Sequence, residues 1–258
     1  MSSAKTSSLT PLFPEKPTEE KSAAERAIPK VCVIGNSLIG ALHVALKESP
    51  GLAEGYRFEF FGGEAGHYYA ITIERGRLAK FQYSSETQVR TLTDYCAIFV
   101  YGDQSNAYDL AMTEKRLLAE DFSAQVVQAA VMDRTLARFT PWLVTRLQAA
   151  TRAPIFVLAD NPKAATQGFE HEADFRRGQA LVAQSIGSAI SYDLPAELLD
   201  DRFTIKDAYR YMSVNLHGND RRKNVGHDDN HMNVEGGRVL VAAMVASLKA
   251  KGIGQAAC

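Results

Sequence analysis

Lys30-Val31-Cys32-Val33-Ile34-Gly35-Asn36-Ser37-Leu38 is the stretch whose reading decides the fold. Residues 31–34 are apolar without alternation, as a strand buried on both faces requires. The run stops at Gly35, and helical spacing follows in Leu38, Leu42 and Leu46, with His43 and Lys47 turned elsewhere. Strand, glycine turn and helix in that order put Ser37 at a helix N-terminus and at the carboxyl end of a strand. Open parallel α/β sheets bind ligands there, where free backbone N–H groups and the positive helix end converge. A simpler reading stands beside this one: Asn and Ser are preferred N-caps, and capping alone accounts for Asn36 and Ser37.

Further along the chain, strand candidates near residues 57, 96, 155 and 189 join the one at 31 and alternate with helical segments. The pattern predicts parallel βαβ units in a three-layer α/β/α sandwich with a sheet of about five strands. Tyr56–Phe61 is aromatic-rich and runs into Gly62-Gly63-Glu64-Ala65-Gly66-His67, where three glycines allow backbone shapes closed to other residues. Tyr68–Ile73 and Arg77–Tyr83 flank Glu74-Arg75-Gly76 and predict a β-hairpin inserted beside the sheet. Tyr95–Tyr101 is a buried strand ending at Gly102-Asp103-Gln104, and residues 105–120 are ambiguous but partly helical. Phe122–Ala150 has helical spacing in Val126, Val127, Ala130, Val131 and Leu136, with Pro141 expected to divide or kink it. Strand Ile155–Ala159, helix 172–187, a short strand Ala189–Tyr192, loop over 193–230 and a last helix over about 234–250 complete the chain.

The 258 residues, 46% of them hydrophobic, suffice for one sizeable core, so a single domain over 30–258 is expected. Residues 1–29, rich in Ser, Thr, Lys, Glu and Pro, read as a flexible N-terminal arm, in which apolar Leu12 and Phe13 are candidates to pack on the domain. A net charge of -1 gives no general attraction to nucleic acid or to an anionic membrane. No apolar stretch reaches the ~18 residues that cross a bilayer. Met1–Leu12 lacks the apolar core of a signal peptide. Cys32, Cys96 and Cys258 make no disulfide framework, and Cys32 and Cys96 fall in strands where a small thiol packs well; a cytoplasmic setting is expected.

The second informative stretch is Gly226-His227-Asp228-Asp229-Asn230-His231-Met232-Asn233, just before the last helix. Asp228 and His231 stand three apart in a turn. A carboxylate there can accept from one imidazole nitrogen and fix the tautomer, leaving the other free to take a proton from a serine hydroxyl. Serine is a weak nucleophile until such a base activates it, and triads are defined by geometry rather than chain order.

With Gly35-Asn36-Ser37-Leu38 at the opening and Asp228-Asp229-Asn230-His231 at the close, the chain resembles the SGNH (GDSL-like) hydrolase superfamily over residues 30–250. Phe60-Phe61-Gly62 and His231-Met232-Asn233 further resemble a bacterial branch of it. The resemblance implies a flavodoxin-like sandwich with Ser37 as nucleophile, His231 as base and Asp228 as its orienting partner. It implies an oxyanion hole built from the N–H of Ser37, one of Gly62, Gly63 or Gly66 (Gly66 being favoured), and an asparagine after the third strand. Here the sequence departs: Gly102-Asp103-Gln104 puts glutamine in that place, so the donor is Gln104, or Asn106 two residues on, or is missing. Loss of one such donor can cost about 3–4 kcal/mol of transition-state stabilisation.

The function expected is therefore a serine ester hydrolase, or an acyl transferase through the same acyl-enzyme, on an acylated carbohydrate or another small ester, with no cofactor. The alternative is an SGNH-fold binding or scaffold protein without the chemistry. A nucleotide-binding reading lacks a phosphate-binding glycine loop, and Gly35 alone does not make a dinucleotide fold. His217, His227, Asp228, Asp229 and His231 include zinc-ligand types, but the spacing of strong zinc motifs is absent. His67 and Arg221-Arg222-Lys223 read as surface groups before they read as substrate contacts, Asp160-Asn161-Pro162 as a plain turn, and Trp142 as a helix packing residue. The sequence leaves the oligomeric state open.

Overall fold

The computed structural model describes residues 28–62, 68–80, 88–102, 107–158, 171–201, 204–210 and 231–254. Their strands are β1 (Lys30–Gly35), β2 (Arg57–Gly62), β3 (Ile71–Glu74), β4 (Arg77–Lys80), β5 (Gln88–Thr91), β6 (Tyr95–Tyr101), β7 (Ile155–Leu158) and β8 (Ile190–Tyr192). The helices are α1 (Ile39–Glu48), α2 (Ala107–Ala119), α3 (Ala124–Leu136), α4 (Phe139–Ala150), α5 (His171–Ser185) and α6 (Val234–Ala250).

The main sheet is all parallel in the order β2-β1-β6-β7-β8. The chain steps from β1 to one side and then returns past it to the other, the strand order of flavodoxin-like doubly wound sheets. β1 lies inside, with Val33 opposite Phe60 on one flank and Phe99 on the other. Its successive side chains feed two cores: Val31 and Val33 pack with α1 and α6, Cys32 and Ile34 with α2–α5. That double burial explains why the run is apolar without alternation, each such side chain contributing about 1.5–3 kcal/mol. The α/β/α sandwich anticipated from the alternation of elements is the architecture found.

The hairpin is present and larger than expected. β3, β4 and β5 form a separate antiparallel sheet. Arg75 and Gly76 turn it with φ of 50° and 71°, the double positive φ that two-residue hairpin loops favour. Two local expectations are corrected. Strand β3 begins at Ile71 rather than Tyr68. Tyr68 is fully buried and donates or accepts at Thr140 Oγ1, 3.1 Å away, so packing on α4 claims it before the hairpin starts. The helical stretch after Phe122 breaks at Ala137–Arg138, not at Pro141. Pro141 sits in the first turn of α4, where the N–H it lacks has no intrahelical acceptor anyway. On α3 the buried stripe is Val127, Val131 and Thr135, while Val126 and Leu136 are about half exposed.

Other boundaries move by a residue or two. Of the ambiguous stretch 105–120, Ala107–Ala119 forms α2, and the segment after β8 carries short 3-10 turns at Ala196–Leu198 and Asp207–Tyr209. Cys32 and Cys96 are buried thiols, with burial raising the pKa of Cys32 first and the nearby Glu59 charge second. Among the described residues no helix is long and apolar enough to cross a membrane.

Candidate active site

The site begins where β1 ends. Gly35 is required there because a Cβ would overlap the carbonyl of Tyr101 on β6 and the side chain of Ile39. Gly62, at the end of β2, has φ of 145° and lies against Gly35; Gly102, after β6, has φ of 87° and lies against the Asn36 amide. Three strand ends thus close on one another at the point where the strand order reverses, the crevice in which doubly wound sheets place ligands.

From this narrow base the chain turns into α1. Asn36 Oδ1 accepts from Leu38 N at 3.0 Å, and the carbonyls of Asn36 and Ser37 accept from the N–H groups of Ile39 and Gly40. Asn36, not Ser37, therefore supplies the side-chain bond of the turn. The hydroxyl of Ser37 goes elsewhere: its Oγ lies 2.7 Å from Nε2 of His231, a residue 194 positions away in sequence. With Nε2 unprotonated, Ser37 Oγ donates to it. The N–H of Ser37 makes no hydrogen bond among the described residues and stands beside the positive end of α1.

Two devices hold His231 in place. The first is helix contact. α6 starts three residues after His231 and packs along α1, and at Gly237 a Cβ would overlap the backbone carbonyl of Ala41. Ala41 is four residues past Ser37 and Gly237 six past His231, so the close crossing lies about one turn below the pair. The second is the loop before α6. Met232, 2% exposed, bridges to Arg210, and Asn233 N donates to the Tyr209 carbonyl at 2.8 Å. Asn233 Nδ2 donates to the Ala208 carbonyl at 2.7 Å, while Asn233 Oδ1 accepts from Gly236 N at 2.9 Å and caps α6. Arg210 is itself fixed, donating from Nη2 to Thr204 Oγ1 at 2.7 Å; Thr204 Oγ1 in turn donates to Asp200 at 2.9 Å.

Of the residues singled out in the sequence, the structure brings Ser37 and His231 into hydrogen-bond contact. Asp228, Gly63, Gly66, Gln104 and Asn106 lie outside the described residues, as do His67, His217, His227, Asp229, the Asp160–Pro162 turn and Arg221–Lys223. Among the described residues no group of three or more His, Cys, Asp or Glu side chains is placed to hold a metal ion. The supporting residues missed in the sequence are Gly237, Asn233 and Arg210. Gly236-Gly237 in a first helical turn was a readable signal, because glycine weakens a helix and survives there for close approach.

No protein-family model matches this chain, and no curated protein matches its sequence.

Proposed function

We propose that this chain is a serine ester hydrolase, or an acyl transferase using the same acyl-enzyme, of the SGNH-like kind that its opening and closing motifs resemble. The observation that carries the reading is the 2.7 Å contact between Ser37 Oγ and His231 Nε2 at the carboxyl end of a doubly wound sheet. A hydroxyl and an imidazole so placed are the nucleophile and general base of acyl transfer. Ser37 Oγ attacks the ester carbonyl while His231 Nε2 takes its proton. The oxyanion that forms is met by the N–H of Ser37, with Gly66 and either Gln104 or Asn106 as the further donors in this reading. His231 then gives the proton to the departing alcohol. Water, or a sugar hydroxyl in the transferase version, attacks the acyl-Ser37 ester with His231 again as base, releasing the acid or the new ester.

Asp228, three residues before His231, is the proposed orienting carboxylate for Nδ1. Small esters and acylated carbohydrates are the proposed substrates, with neither nucleic acid nor membrane as partner. Buried cysteines in the strands, Cys32 and Cys96, fit a reducing, cytoplasmic setting. Turnover of nitrophenyl acetate by the wild type and Ser37→Ala tests the proposal. Loss of the nucleophile should lower kcat by about 10⁴-fold or more. Equal rates would overturn it in favour of an SGNH-fold binding protein, the outcome to which Gln104 in place of the asparagine after the third strand points.

A further inference from the structure

Seven large apolar side chains are exposed among the described residues, and three of them, Tyr69, Leu136 and Trp142, line one groove of about 690 Å³. Ile71 and Thr72 of β3 and Ala137, Arg138 and Phe139 at the α3–α4 corner complete its walls. Exposed apolar residues scattered singly need no explanation, but gathered in one concavity of ligand-binding size they do.

The groove lies at the same end of the sheet as Ser37. Arg138, in the α3–α4 corner, faces Asp109 at 4.0 Å, and Asp109 is in the first turn of α2, which starts beyond the carboxyl end of β6. Tyr68, which follows the carboxyl end of β2, meets Thr140 in the first turn of α4. The α3–α4 corner is therefore tied to both strand ends that flank the end of β1. Its interior is an edge-to-face ladder of rings: Tyr68–Phe139 centroids are 4.9 Å apart at 71°, and Tyr69–Phe139 centroids 5.2 Å apart at 80°. Trp142 stacks on Phe139 at 5.1 Å. A ladder of this kind is extended by one more aromatic ring at ordinary centroid distances.

We infer that this groove is a binding site for an aryl group and, on the hydrolase reading above, that it receives the aromatic part of an ester whose carbonyl lies at Ser37. The substrate class is then an aryl or arylalkyl ester spanning the strand ends, with Leu136 and Trp142 as specificity-determining residues.

Trp142 is the single tryptophan of the chain, so its fluorescence reports the groove directly. Phenylacetamide, an aryl probe without an ester, is titrated into the wild-type chain beside acetamide. A saturable change with phenylacetamide only, abolished in Leu136→Asp, is expected. No saturable change, or the same change with acetamide, overturns the inference, and so does a response to hexanamide equal to that for phenylacetamide. A change in sedimentation behaviour of Trp142→Ala in place of a ligand response also overturns it, because the groove is then a contact between copies. In kinetics, Trp142→Ala should lower the preference for phenyl over methyl acetate by about tenfold. Failure of all ester turnover with the fluorescence response intact would remove the hydrolase reading and leave the aryl site standing.

Discussion

Both helical layers bury apolar side chains against the sheet, but their helices are joined to one another by different means. On one face α1 and α6 meet backbone to backbone at Gly237 and Ala41, and their shared core of Leu42, Leu240, Val241, Met244 and Leu248 is fully or almost fully buried. On the other face the helices share a buried core of their own that includes Leu110, Val131, Leu147 and Leu181, but the seam between α2 and α5 also carries ion pairs, Lys115 with the buried Asp174 at 2.6 Å and Arg177 with Glu114. There α3 buries only a thin stripe. Apolar contact at close range fixes distance to within a fraction of an ångström, whereas charged side chains on long stems tolerate displacement. The Ser37–His231 pair hangs from the first kind of layer. The aryl groove lies at the edge of the second, beside the thin buried stripe of α3 and the exposed rings of Tyr69 and Trp142.

The comparison breaks first at Gly237. Gly237→Ala forces α6 away from α1, because the new methyl group meets the Ala41 carbonyl and not a movable side chain. A displacement near 1 Å at the pair should lower kcat about 100-fold, with a stability loss of about 1–3 kcal/mol. Steady-state turnover and urea denaturation measure the two. Wild-type activity in a folded variant would mean that the helix crossing does not set the reacting distance.

The second layer should answer differently. Lys115→Met removes the cation beside Asp174 and should cost about 1–2 kcal/mol, less than a fully buried pair because Lys115 is half exposed. Ester turnover should be unchanged at a temperature where the variant is folded. A drop in kcat as large as that of Gly237→Ala would erase the distinction between the layers.

A smaller effect sharpens the picture of α1. His43, one turn past Ile39, packs edge-on against Phe60 with centroids 5.2 Å apart, and its Nδ1 is buried with no hydrogen-bond partner among the described residues. Burial first, and the Lys47 charge second, push its pKa below the ordinary 6.5. The unfolded chain then binds the proton more readily than the folded one. Stability is full above 6.5 and falls as the pH drops through that value toward the folded pKa. Melting temperatures compared between about pH 7 and about pH 5.5 should fall more steeply for wild type than for His43→Gln. Parallel slopes would show that His43 is not the group responsible.

Much of this was legible in the sequence because the physics is local. The unalternated run 31–34 needed two buried faces, and residues 234–250 carried their helical period in plain view. Ser37 and His231 were nameable from residue type and from their places at element ends. What the sequence did not carry is what depends on a partner far along the chain. Asn36 could be read as a cap, but nothing near it said that Gly102 would close over its amide. Gly237 looks like a weak helix position until Ala41 is beside it. Val126 and Val127 are identical in hydropathy, and only the packing of α3 decides that the first is half exposed and the second buried. Trp142 read as a packing residue; it stacks on Phe139 and carries Arg146 at 5.5 Å, yet remains 40% exposed in a groove.

The central claim is that His231 makes Ser37 a nucleophile. Intact-protein and peptide mass spectrometry after treatment with a fluorophosphonate, on wild type and His231→Ala side by side, tests it most directly. The account predicts one phosphonyl adduct on the wild type, carried by Ser37, and none on His231→Ala over the same time. Labelling of a different residue, or equal labelling of Ser37 in both proteins, would contradict it.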